Sequence, residues 1–212
     1  MQKFSIYVKF NKSFYWTAET ILYSILFFCC GVVFFKQKVL NLEENFIDKF
    51  FLWLALASFM FGTILKFYNM NKIEPLRGKL EGYLIFEKES ITVGNEIYPI
   101  EKIRTIKISN DDYSGAFRNV SQGNLGPALS NGTNNSIVIY LISGEPKKYQ
   151  FELINSDDFQ KVRETLIDYN IIGKIDYWEL AHVLGEKSTS ETLALTDEIA
   201  RRRTATNTSF TP

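Results

Sequence analysis

The chain has 212 residues, 46% hydrophobic and 15% aromatic, with 24 basic against 24 acidic side chains. That length supports one or two domains with a buried core, and the zero net charge argues against a dedicated nucleic-acid binder, which carries a basic excess. One histidine, His182, and two adjacent cysteines, Cys29 and Cys30, leave almost no material for a His-rich metal site, a disulfide framework or a His-based dyad.

The first 72 residues are dominated by two uncharged runs, Thr20 to Phe35 and Phe50 to Leu65, each 16 residues long. As helix each spans ~24 Å, a little short of a ~30 Å hydrocarbon layer. Aromatic residues at Phe14, Tyr15, Trp16, Phe67 and Tyr68 extend the runs into the interface, and Lys36, Lys49 and Lys66 can snorkel from their ends. Neither run shows the polar stripe of a water-soluble helix. Twelve residues with apolar and aromatic members precede any apolar core and no small-x-small cleavage site follows it, which argues against a cleavable signal. Residues 1–72 therefore read as a transmembrane hairpin with spans at about 15–36 and 48–68. Seven basic residues flank the termini side (Lys3, Lys9, Lys12, Lys66, Lys72, Arg77, Lys79) against three in the connection, which predicts both termini in the cytoplasm.

Small residues suggest how the two spans meet. Thr17, Ser24 and Gly31 recur every seven residues on the first, and Ala55, Ser58 and Gly62 share a face of the second. Such faces serve the hairpin itself or an oligomer or partner subunit.

Residues 73–185 read as short strands followed by helices. Strand signals run over 82–88, 91–93, 96–100, 103–109, 137–142 and 149–153, punctuated by Gly94-Asn95, Asn110-Asp111-Asp112 and Ser143-Gly144. Pro99 places its strand at an edge or a bulge. Ile137 to Ile142 is wholly apolar and is expected to be covered on both faces. The stretch Tyr113 to Asn135 is a long Gly- and Asn-rich excursion, with Phe117, Val120 and Leu125 as candidate anchors for a protein partner. Asn155 or Ser156 can cap a helix with its stripe at Phe159, Val162, Leu166 and Tyr169, and a second helix is expected over Asp176 to Leu184. Residues 186–212 read as a polar, disordered tail with at most a weak helical run at Glu191 to Ala200. Arg201, Arg202 and Arg203 in that tail, like Arg77 and Lys79, are candidates for contact with anionic lipid.

The stretch Ser90-Ile-Thr-Val-Gly-Asn-Glu-Ile-Tyr-Pro-Ile-Glu-Lys-Ile-Arg-Thr-Ile-Lys-Ile108, behind two apolar helices, resembles the bacterial pleckstrin-homology-like domains of membrane proteins. The resemblance covers about residues 76–172 and is one of apolar positions and turns. It implies an α+β membrane protein: a transmembrane hairpin followed by an antiparallel β-barrel or sandwich capped by a C-terminal helix. The turn Glu87-Lys88-Glu89, with Glu81 nearby, departs from the basic headgroup-binding members, so no phosphoinositide pocket is expected.

No nucleophile elbow, zinc-protease helix, phosphate loop or Cys-x-x-Cys pair occurs in the chain. The expectation is a non-catalytic module without cofactor or metal, held at a bacterial inner membrane and presenting its β domain to a protein partner. The alternative is an accessory or inhibitory, immunity-type subunit of a bacterial membrane complex in secretion, transport or defence.

Overall fold

The computed structural model describes residues 2–11, 15–41, 43–118 and 124–208. The chain is α+β and divides into two units: Met1–Phe10, Leu76–Ala116 and Asn131–Pro212 form one, and Asn11–Pro75 with Phe117–Ser130 form the other.

The first unit is built on an open antiparallel sheet. Its strands are β1 (Phe4–Lys9), β2 (Gly78–Phe86), β3 (Ser90–Val93), β4 (Glu96–Pro99), β5 (Ile103–Ser109), β8 (Asn135–Leu141) and β9 (Lys147–Phe151), in the order β4-β3-β2-β1-β9-β8-β5. Two further strands, β6 (Ser114–Phe117) and β7 (Leu129–Asn131), make a separate two-stranded ribbon. β1 pairs with β2 on one side and β9 on the other. Residues 4–9 are thus an inner strand of the sheet, which corrects the assignment of residues 1–72 to the hairpin. Phe4 and Ile6 alternate inward as a strand requires, but both partners of this six-residue segment lie far along the chain. Gly82 sits in a bulge of β2 between the Ser5 and Tyr7 registers, at φ +80°, where a side chain would also press on the Gly94 backbone.

The core is aromatic at its centre. Phe4 stacks on Phe159 at 4.8 Å and meets Phe86 and Phe151 edge-on at 5.9 Å; each such pair is worth ~0.5–1.5 kcal/mol beyond burial. Phe159 comes from a 3₁₀ turn, Asp158–Val162, that leads into α3 (Arg163–Ile171). The helix therefore begins later than Asn155; instead Asn155 N–H donates to the buried Asp158 carboxylate at 2.9 Å. Tyr169 closes α3 onto the sheet by donating its hydroxyl to the backbone of Glu87 and Ser90 in the β2–β3 turn. α4 (Tyr177–Val183) follows, capped by Asp176.

Most of the segment expected to be disordered, residues 189–208, forms a helix instead. α5 spans Thr189–Thr208 and buries Leu195 and Ile199, four residues apart on one face. Arg163 binds Glu186 and Glu198 at once, holding the helix and its approach segment against α3. Only Leu195 and Ile199 are buried, while Leu193 is exposed, so the helical stripe is faint in the sequence.

The second unit is a helical hairpin. α1 (Ala18–Phe34) starts at Thr17, whose hydroxyl accepts from Thr20 N–H, and ends in a π-helical turn, Phe35–Val39. α2 (Phe46–Asn69) starts in a capping box: Asn45 Oδ1 accepts from the Ile47 and Asp48 amides, and Asp48 Oδ2 accepts from Asn45 N–H at 2.9 Å.

Candidate functional site

Both helices of the second unit, Ala18–Val39 with its π turn and Phe46–Asn69, are long and apolar enough to cross a membrane. Core helices of a water-soluble protein bury most of their surface, whereas these bury only 11% and 17% of their apolar windows. Phe27, Phe46, Trp53, Phe67 and many other large apolar side chains point outward.

The packing face of α2 is the expected one: Ser58 and Gly62 are buried and Ala55 is half-buried. The face of α1 is not. Ser24 and Gly31 are exposed, Thr17 is the helix cap, and a side chain built on Gly31 would meet nothing within 4 Å. The buried positions are Leu22 and Cys29, also seven apart. The physical reason is size complementarity. The small surface of α2 accommodates the larger Leu22, whose Cδ1 lies 3.9 Å from where a Gly62 side chain would begin. Ser24 donates to its own helix at Thr20 O, 2.7 Å away, so its exposure leaves no donor unmet.

At the connection between helices, Lys36 Nζ lies 2.6 Å from Asp48 Oδ2. Asp48 is wholly buried and its Oδ1 has no hydrogen-bond partner. The pair seals the end of the hairpin while satisfying the α2 cap, and a charge so enclosed depends on its partner.

The excursion returns onto the hairpin. Leu125, expected to anchor a partner, is instead buried near Gly62, with its Cδ1 3.5 Å from a built Gly62 side chain. Asn69 Nδ2 donates to Leu125 O at 2.7 Å, Ala128 N–H to Asn69 O, Leu129 N–H to Lys72 O, and Glu74 N–H to Leu129 O. Arg118 pairs with Glu74. Apolar sealing of the notch and pairing of the backbone with the end of α2 account for this segment. Phe117 remains exposed, and Val120 lies outside the described residues. Asn69, Lys72 and Glu74 carry no sequence signature for this role; the Asn45-x-x-Asp48 pattern of the cap is the one local signal legible in advance.

The candidate lipid cations are distributed unevenly. Lys79 pairs with the exposed Glu81, and Arg77 is exposed beside the β1–β2 pairing, its carbonyl accepting from Phe10 N–H. Arg202 folds onto α3, with Glu164 at 3.5 Å and Asp168 at 3.7 Å, which removes it from a lipid-facing cluster; Arg201 and Arg203 are exposed.

In the first unit Glu96, Tyr98 and Tyr149 form a polar cluster. Both hydroxyls engage Glu96 Oε2, Tyr149 at 2.9 Å. Burial, reinforced by the neighbouring carboxylate, pushes both phenols above the usual tyrosine range, and their hydroxyls hold Glu96 below the usual carboxylate range. An ionised carboxylate held by two protonated phenols is a brace rather than a proton shuttle. His182 lies at the surface, 3.3 Å from Asp111. Among the described residues no three His, Cys, Asp or Glu side chains converge as a metal site. Comparison with family models, characterised proteins and solved structures finds no match to this chain.

Proposed function

We propose that the protein is a non-catalytic module anchored in the bacterial inner membrane by α1 and α2, with its β unit in the cytoplasm as a pleckstrin-homology-like binding domain for a protein partner. The carrying observation is that an outward-facing apolar hairpin is inserted between two hydrogen-bonded neighbours, β1 and β2. Phe10 N–H donates to Arg77 O at 3.1 Å, so the chain leaves for the hairpin and returns from it at one point. One sheet cannot straddle a bilayer, so residues before and after the hairpin share a side. The basic excess flanking the termini side supports the cytoplasm as that side. Cleavage after α1 as a signal would remove an inner strand of the sheet. The strand order supports the fold reading: a four-stranded meander, then three strands, then a helix packed on the core.

The partner face is assigned to the exposed Trp178 and Leu193, next to the Tyr177 hydroxyl that donates to Thr192 O. A large exposed aromatic is the commonest anchor of an interface. The test has two stages. Alkaline carbonate should leave the protein in the membrane pellet, and a cysteine placed at Glu145 should react only from the cytoplasmic side. Purification in mild detergent should then recover a stoichiometric partner that Trp178→Ala loses. Release by carbonate, or a partner retained by that variant, sinks the corresponding half.

The second reading, an accessory or inhibitory subunit of a membrane complex, is favoured by an open apolar groove of about 670 Å³ on α1, lined by Ser24, Phe27, Gly31 and Phe35 among others. Ser24→Leu with Gly31→Leu would abolish assembly under this reading and leave the first untouched.

A further inference from the structure

We infer that the slot between α1 and α2 beneath Leu125 holds the headgroup-proximal segment of one acyl chain of an anionic phospholipid, with the phosphate at Lys66. This rests on the hairpin being membrane-embedded. The slot is a cavity of about 190 Å³, walled by Leu22, Leu26, Phe59 and Gly62 and bounded by Leu125. Its lining on α2 runs from Ser58 through Gly62 to Lys66, positions four apart on one face, a run of ~12 Å along the helix. The Thr63 hydroxyl in the wall donates to its own helix at Phe59 O, 3.0 Å away, and so presents no unmet donor.

Size selects the occupant. A helix with side chains is ~10–12 Å across, and 190 Å³ is closer to the ~150 Å³ apolar cavities that stay dry and take up a small hydrocarbon. The wide groove on the other face of α1 suits a helix; this slot suits a single chain. Charge selects the headgroup. Lys66 is exposed at the Asn69 end of α2, without a carboxylate partner among the described residues. Lys72, three residues past the end of α2, lies over the Tyr68 ring at 4.7 Å, which places a second cation near this end of the helix. An apolar slot that runs along the helix axis and ends at a free ammonium complements a lipid whose phosphate is negative.

The test uses the full chain in detergent micelles, titrated separately with phosphatidylglycerol and phosphatidylcholine of identical acyl chains, with retained lipid counted by native mass spectrometry. One phosphatidylglycerol per chain should be retained, at about fivefold lower concentration than phosphatidylcholine, the factor expected from ~1 kcal/mol for one lysine. Lys66→Gln, on the surface, should erase that preference. Gly62→Leu should fill the slot and lose the retained lipid while the circular dichroism spectrum is kept. Equal retention of the two lipids, a preference unchanged in Lys66→Gln, or no retained lipid at all overturns the assignment. Carbonate extraction of the same preparation separates the failures: a protein that resists extraction but retains no lipid loses only this inference, and one that is extracted loses the membrane reading too.

Discussion

The hydroxyls of Tyr98 on β4 and Tyr149 on β9 lie 2.5 Å apart, although three strands separate β4 from β9 in the sheet. A flat sheet would hold those strands ~19 Å apart. The sheet therefore coils until its early edge meets its later strands, and Glu96 receives both hydroxyls where they meet. Tyr98→Phe should cost about 1 kcal/mol, measured by urea unfolding at neutral pH.

The same contact gives an alkaline limit. Tyr98, Tyr149 and Tyr169 are each held above the usual tyrosine range, chiefly by burial. Their neutral forms belong to the folded state, so this stability is complete below the unfolded tyrosine value of about 10 and is lost as pH rises beyond it. Unfolding curves between pH 8 and about 11 should show the decline, and Tyr98→Phe should make it shallower. An identical slope in the variant would remove Tyr98 from the account.

Asp158 sets an acid limit. Burial pushes its carboxyl up, but Lys161 and the Asn155 amide outweigh burial and hold it below the usual carboxylate range. Its contribution is present above the unfolded value of about 4 and is lost as pH falls through the lower folded value. Asp158→Asn should cost about 1–2 kcal/mol at neutral pH, and the gap from the parent chain should narrow on acidification.

Leu195 tests the order of the C-terminal helix. It is fully buried, so Leu195→Ala should cost about 3 kcal/mol and open α5 to limited proteolysis. The parent chain should resist cleavage within α5 up to Ile199.

The insertion of the hairpin is testable by removing it. Lys9 pairs with Gly78, so a short glycine-serine linker can replace residues 11–75 without parting β1 from β2. With Leu125→Ser added to remove the side chain the hairpin covers, the shortened chain should stay soluble without detergent and keep its strand content by circular dichroism. Deleting residues 2–10 from the full chain should abolish that strand signal, because an inner strand is lost.

At the other end of the hairpin, Asp48→Asn or Lys36→Met alone should destabilise by about 3 kcal/mol, since each leaves an enclosed partner uncompensated. Replacing both with apolar residues should recover most of the loss in a detergent-unfolding assay.

Alternation of apolar and polar residues made β3, β4 and β5 legible, and Pro99 does lie on an edge strand. The apolar run at 137–142 was less informative: Ile137 and Ile139 are fully buried, while Val138 and Tyr140 are half-buried on the other face and Arg104 lies 5.9 Å from the Tyr140 ring. Periodicity also identifies which residues of α1 share a face, but when every side chain is apolar it cannot say which face turns inward; Leu22 and Cys29 won over Ser24 and Gly31. β1 and Leu125 escaped for a shared reason. Each gains its place from partners distant in sequence, and no local pattern encodes such pairing.

The position of β1 also dictates an order of events during synthesis. Ile6 pairs with Phe151, about 145 residues later, whereas the β2 partners of the same strand lie at 78–84, so β1 has one neighbour well before it gains the second. On the membrane reading proposed above, the apolar helices between β1 and β2 enter the bilayer as a loop, with β1 kept on the same side as β2. The open edge of β1 that waits for β9 is a target for chaperones, and slowing translation late in the message should lengthen that vulnerable interval.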